Sequence, residues 1–201
     1  MPVKQGESVT SSARRSQIVA ATIETIAELG YHHTSFARIA ERAGLSSTRL
    51  ISYHFDGKDE LIGQTIATIY GDLSRFMHER VSARPTASAA LETYIRSLVE
   101  YLGGHRTEMR AATEIFLNFR PEGGTAARDA ATDLSSLSHL ERLLAWGQES
   151  GEFGPFSTRV MAMTIQRSLD GLPFLLEADP EADLAEYADE LAALFARATR
   201  A

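Results

Sequence analysis

The sequence predicts an all-α fold, and three observations predict it. Apolar residues recur at intervals of three and four in segment after segment, as they do along one face of a helix. No stretch shows the period-two alternation that a half-buried strand requires. Between residues 35 and 58 two short helical patterns meet at a glycine, which is the outline of a helix-turn-helix.

Residues 1–12 are polar and aperiodic and read as a loose arm, in which Lys4, with Arg14 and Arg15 just beyond, can reach phosphates. The first helix is expected over residues 13–29 on the stripe Ile18, Val19, Thr22, Ile26 and Leu29, with Gly30 ending it. Its role is to hold the motif. Tyr31 and Phe36 are expected to pack below it, and Thr34 or Ser35 to cap the second helix.

In that second helix Phe36, Ile39, Ala40 and Ala43 share one face, while Arg38, Glu41 and Arg42 share the other. Gly44 follows where the backbone must turn left-handed, which glycine does without a Cβ penalty, and Leu45 plugs the corner. Ser46 is placed as N-cap of a third helix starting at Ser47, because its hydroxyl can accept an orphan amide. This helix, residues 47–54, carries Ser47, Thr48, Arg49 and Ser52, then Tyr53 and His54. Small or basic side chains suit base edges and phosphates, where an ordinary surface helix is richer in Glu and Lys pairs. It is read as a recognition helix.

Phe55 closes this head, and Asp56-Gly57 turns the chain into a long connecting helix over residues 58–82, with Leu61, Ile62, Thr65, Ile66, Ile69, Leu73, Phe76 and Met77 on one face. After the break at residues 84–86, a helix over 87–102 buries Leu91, Tyr94, Ile95, Leu98 and Leu102 and stops at Gly103-Gly104. One over 107–119 buries Met109, Ala112, Ile115, Phe116 and Phe119, and residues 121–124 form a loop. The next, over 126–149, carries Leu134, Leu137, Leu140, Leu143, Leu144 and Trp146 and is broken at 151–155. Ser157 caps a helix apolar on several faces, which Pro173 should kink by losing the bond to the Leu169 carbonyl. Asp179-Pro180 starts the last helix.

The landmarks Arg15, Ile18, Ala21, Gly30, Tyr31, Thr34, Phe36, Ile39, Ala40, Ala43, Gly44, Leu45, Ser46, His54, Phe55, Lys58 and Leu61 resemble, in order, the tetracycline-repressor (TetR) family of bacterial transcription regulators. The resemblance covers the first third of the chain. Its departures are a segment from Ser46 to His54 one residue longer than the family pattern, Thr48 where a glycine, alanine or proline is common, and Ser52 where a tyrosine is usual. The extra residue is expected to bring Tyr53 to the phosphate that the usual tyrosine contacts. The resemblance implies a DNA-binding domain at residues 1–57 and a helical effector-binding and dimerisation domain at 58–201. It implies DNA contacts by Arg15, Thr34, Ser46, Ser47, Thr48, Arg49, Ser52, Tyr53, His54 and Lys58 on a palindromic double-stranded operator, and a small-molecule effector.

Composition is compatible with this. The chain of 201 residues is 44% hydrophobic and 23% charged, enough to bury a core in one or two units. Cysteine is absent, which excludes disulfide scaffolding and thiolate metal sites. With neither a membrane-spanning run nor an apolar signal core, a soluble cytoplasmic protein is expected. The net charge of −7 argues against a polyanionic partner until its distribution is considered: seven basic residues face five acidic ones through Lys58, against thirteen and twenty-two beyond it. A mildly basic head on an acidic body has the polarity for a head that alone approaches DNA.

Enzyme chemistry finds no support. There is no glycine-rich phosphate loop, HExxH, GxSxG or cysteine nucleophile, the six histidines lack metal-ligand spacing, and no cofactor is expected. Tyr94, Phe116, Asn118, Phe119, Trp146, Met163 and Gln166 join aromatic bodies to polar tips, as ligand pockets do, although plain core is an equal reading. Surplus apolar surface on the last two helices, at Met161, Leu169, Leu172, Phe174, Leu184, Tyr187, Leu191, Leu194 and Phe195, points to a homodimer through a four-helix bundle. The alternatives are a ligand-independent structural DNA-binding protein and a helical enzyme or carrier.

Overall fold

Gly44 has φ +62° and closes the turn of the helix-turn-helix. Around it the Leu45 N–H donates to the Ala40 carbonyl (2.8 Å) and the Gly44 N–H to that of Glu41 (3.1 Å), the paired bonds of a Schellman cap. This computed structural model describes residues 9–120 and 130–201, with side chains over 10–120 and 137–201. The expected arm at 1–8, the loop at 121–124 and the helix start at 126 lie outside the described residues. Among the described residues there are ten helices, and the only strand-like pairing is an isolated bridge between Phe153 and Arg200.

The chain divides into two compact units: residues 1–70 with 107–127, and residues 71–106 with 128–201. The first unit contains α1 (Val9–Leu29), α2 (Phe36–Arg42), α3 (Arg49–His54), the first half of α4 (Lys58–Val81) and almost all of α6 (Arg106–Asn118). Its core joins Ile18, Val19 and Ala21 of α1 to Ile39 and Ala40 of α2, Ile51 of α3, Phe55 and Leu61, with Phe36 and Leu45 packed against them. Buried hydroxyls in the helices find acceptors one turn back: Thr22 donates to Ile18, Thr25 to Ala21 and Thr65 to Leu61. Ser35, of the two cap candidates, caps α2 by accepting the Arg38 N–H.

The third helix corrects the expected boundary. It starts at Arg49, and Ser46 does not cap it. Thr48 holds the cap position with helical backbone and no side-chain bond, and Ser47 Oγ accepts the Arg49 N–H at 3.2 Å. On the expected face of α4 only Leu61, Ile62, Thr65 and Ile69 are buried; Ile66, Leu73, Phe76 and Met77 are half-exposed.

The second unit is built around α5 (Ala87–Gly104), which packs on α7 (Ala130–Glu149), α8 (Thr158–Asp170), α9 (Leu172–Ala178) and α10 (Leu184–Ala198). Thr86 caps α5, and the Glu152 carboxylate accepts the N–H groups of Ala87 and Ser88, each at 2.9 Å. The helix runs through both glycines expected to stop it. Gly103 is used for approach: a Cβ there would meet Leu184 Cδ1 at 2.3 Å. The expected kink at Pro173 is a break. α8 ends at Asp170, Gly171 separates the helices, and Pro173 lies in the first turn of α9, where no amide proton is required. The last helix starts later than expected, capped by Asp183, which accepts the N–H groups of Ala185 (2.9 Å) and Glu186 (3.0 Å).

Candidate nucleic-acid interface and effector unit

The recognition helix presents a continuous exposed face. Ile51 is fully buried and fixes α3 to the core, which turns Arg49, Ser52 and Tyr53 to solvent, with Ser46 and Thr48 exposed just before them. Tyr53 is 81% exposed, far more than a ring serving the core. His54 is half-buried with its ring edge-on to Tyr53.

The cations of this head differ in what they already hold. Arg14 donates to Gln17, Arg38 to the His33 carbonyl, and Arg42 pairs with Glu24 and Glu28. Arg15 donates to the His54 carbonyl, pairs with Glu60 at 3.1 Å and lies 4.3 Å over the Phe55 ring. Lys58 donates to the Thr34 carbonyl at 3.2 Å and lies 4.4 Å over the Tyr31 ring; burial pushes its pKa down. The Arg49 guanidinium, by contrast, has no partner among the described residues and is exposed. Thr34, expected at the DNA, is buried and donates to the Gly30 carbonyl. Arg15, Thr34 and Lys58 are therefore engaged inside the head, whereas Ser46, Thr48, Arg49, Ser52 and Tyr53 are presented outward.

The seven expected pocket residues fall in both units. Tyr94 and Gln166 meet in the second unit: the phenol donates to Gln166 Oε1 at 2.8 Å, Gln166 donates to Asp170 at 2.7 Å, and Arg167 donates to the other oxygen of Asp170. Burial, with the nearby Asp170 charge, raises the pKa of Tyr94. Asn118 and Phe119 belong to the first unit, where they touch His32 and Tyr31. Phe116, Trp146 and Met163 are each more than a third exposed. A cavity of about 420 Å³ in the second unit is lined instead by Leu91, Glu92, Arg96, Phe153, Asp189 and Arg200 among others. Sequence periodicity missed it because small side chains on α10, Ala192 and Ala196, leave the space.

The expected dimer residues also divide. Leu169, Leu172 and Phe195 are buried in the protomer's own core and are withdrawn from any interface. Met161, Leu184, Tyr187 and Leu191 are half-buried, and the Tyr187 hydroxyl donates to the Ser168 carbonyl. Phe174 and Leu194 remain exposed, and Val160, Met163 and Leu175, of which only Met163 carried an expected role and that in the pocket, are exposed with them.

A helix-turn-helix head whose second helix offers an unpaired arginine, carried with a separate helical unit, defines the class of DNA-binding regulators. Residues 18–65 match the bacterial regulatory proteins, tetR family. The HTH-type transcriptional regulator BetI of Escherichia coli strain SMS-3-5 is 36% identical over 175 residues, 81% of this chain and 86% of that one. Against BetI of another Escherichia coli strain, S88, the match of 36% spans about half of each chain, 51% and 49%. A TetR transcription regulator from Haloarcula marismortui superposes with TM-score 0.82 at 20% identity, over 94% of this chain and 100% of that one. The regulator FadR from Bacillus subtilis, solved in complex with stearoyl-CoA, gives 0.77 at 23%, over 89% and 96%. The chain belongs to the TetR family and is a DNA-binding transcriptional regulator, not an enzyme. No described helix is long and apolar enough to cross a membrane.

Proposed function

We propose that this regulator is a cytoplasmic repressor, bound as a homodimer to a palindromic operator and released by a small-molecule effector. Residues 1–57 would hold the DNA and residues 58–201 the effector and the partner subunit. The observation that carries the reading is the unpaired Arg49 guanidinium on the exposed face of α3, since a free planar fork early in a recognition helix can bond both major-groove acceptors of guanine. Two such helices in a symmetric dimer read the same half-site twice, which requires a palindrome. Val160, Met163, Phe174 and Leu194 supply apolar surface for the interface.

The effector reading is supported by the stearoyl-CoA bound in the FadR neighbour and by the part-buried Tyr94–Gln166 pair, a polar anchor in an apolar helical unit. Release follows if the effector binds better to a conformation whose two heads no longer match the half-site spacing. The test is selection of bound duplexes from a random pool, followed by footprinting and a metabolite panel. A two-fold symmetric site, and a metabolite that weakens binding at least tenfold, are the expected results. Sequence-independent binding, or a site bound equally with every metabolite, would overturn the corresponding half of the reading.

A further inference from the structure

We infer that Arg15 is a positioning residue that locks the recognition helix in place, and not a phosphate contact. Its guanidinium reaches one carbonyl, one carboxylate and one ring, on segments that must stay in register. From α1 it donates to the carbonyl of His54, the last residue of α3, whose acceptor the helix leaves unsatisfied. It pairs at 3.1 Å with Glu60 in the first turn of α4, and Glu60 in turn accepts the backbone N–H of Asp56 in the α3–α4 turn. It also covers the ring of Phe55, a core residue that is 1% exposed. α3 has only six residues, and Thr48 at its cap position makes no side-chain bond, so its own hydrogen bonds hold it weakly. Apart from Ile51 in the core, this clamp at its C-terminal end is what fixes the direction in which Arg49, Ser52 and Tyr53 point.

The inference rests on the proposal that α3 meets DNA, and Glu60 separates the two roles of Arg15 by sign. Were Arg15 a phosphate contact, Glu60 would compete with the phosphate, and Glu60→Gln would tighten operator binding. As a lock, Glu60→Gln loosens α3 and weakens binding. Arg15→Lys keeps the charge but loses the planar fork that serves two acceptors at once.

The experiment measures operator affinity of the full chain, on a duplex selected by the protein itself, at several salt concentrations. Arg15→Gln, Arg15→Lys and Glu60→Gln are each expected to weaken binding about fivefold to tenfold, the scale of one ordinary hydrogen bond, with the slope of log affinity against log salt unchanged. The double variant Arg15→Gln with Glu60→Gln should lose no more than either alone. Tighter binding by Glu60→Gln, full binding by Arg15→Lys, or a slope lowered by about one contact per subunit in Arg15→Gln would each overturn the lock. If Arg15→Gln does not fold, Arg15→Lys and Glu60→Gln still decide. Failure of the underlying reading looks different: Arg49→Ala would then leave operator affinity unchanged.

Discussion

The Glu114 carboxylate of α6 accepts the backbone N–H of Tyr31 at 3.0 Å, so the turn after α1 is finished by a side chain 83 positions away. Gly30, the left-handed residue of that turn at φ +78°, leaves the room: a Cβ there would sit 3.2 Å from Glu114 Oε2. Asn118 holds the same carboxylate oxygen at 3.3 Å and meets His32 through its own oxygen. The helix-turn-helix and α6 thus form one compact unit through specific polar bonds.

Glu114→Ala removes the acceptor of a part-buried amide and should cost about 1–2 kcal/mol, whereas Glu114→Gln keeps an acceptor and should cost less than half of that. Gly30→Ala is strained at this φ and crowds the carboxylate, so it should cost about 1–2 kcal/mol as well. Urea denaturation of the three variants measures these values. Equal stability of the wild type and Glu114→Ala would show that the bond contributes nothing.

Acid should weaken the α3–α4 corner. The Asp56 N–H and then Arg15 hold the Glu60 carboxyl below its ordinary value of 4.5. Near pH 4 the folded state then binds fewer protons than the unfolded state. The contribution is complete above the unfolded value and is lost as pH falls through the lower folded one. The difference in melting temperature between wild type and Glu60→Gln should be constant from pH 7 to about 5 and shrink toward pH 3. A difference that grows on acidification would reverse the assignment.

Dimerisation is tested on residues that the protomer does not itself bury. Phe195 is only 3% exposed, so charging it would disrupt folding and say nothing about assembly. Val160 and Leu194 are 63% and 47% exposed. Val160→Glu combined with Leu194→Glu should give folded monomers, because unpaired carboxylates would be desolvated in the seam. Sedimentation at micromolar concentration reads the outcome; a wild-type chain that is monomeric there ends the proposal.

The fold was legible where local chemistry is decisive. Gly44 between two apolar stripes, Ser35 before α2 and Ser157 before α8 act through their own backbone and immediate neighbours, and each sits where the pattern places it. Boundaries failed where several residues of the same chemistry compete. Ser46, Ser47 and Thr48 all offer a hydroxyl near the start of α3, and Asp179 and Asp183 both offer a cap for α10; only the packing of Ile51, or of the whole helix, selects among them. The interface residues were partly misread for a related reason. Periodicity shows that Leu169, Leu172 and Phe195 face something apolar, and it cannot distinguish the protomer's own core from a partner. Nor did composition reveal that Arg15 and Lys58 are committed within the head, since that depends on carbonyls brought close only by folding.

Arg49 and Lys58 are expected to part company in binding and stability. From the sequence both face DNA, Arg49 at a base and Lys58 at a phosphate. In the fold Lys58 is half-buried, bonded to the Thr34 carbonyl and laid over Tyr31, at a point where its ammonium holds the turn before α2. Lys58→Ala should therefore lower the unfolding free energy by about 1 kcal/mol while leaving the salt slope of operator binding near the wild-type value. Arg49 has nothing to lose internally, so Arg49→Ala should leave stability within about 0.5 kcal/mol of wild type. It should cost roughly 1–3 kcal/mol on the preferred operator and relax selectivity at one base pair in each half-site. Denaturation curves with binding to single-base operator variants at two salt concentrations separate the two residues. A uniform loss across all variants for Arg49→Ala would make it a phosphate contact, and a slope reduced by about one contact per subunit in Lys58→Ala would return that lysine to the DNA.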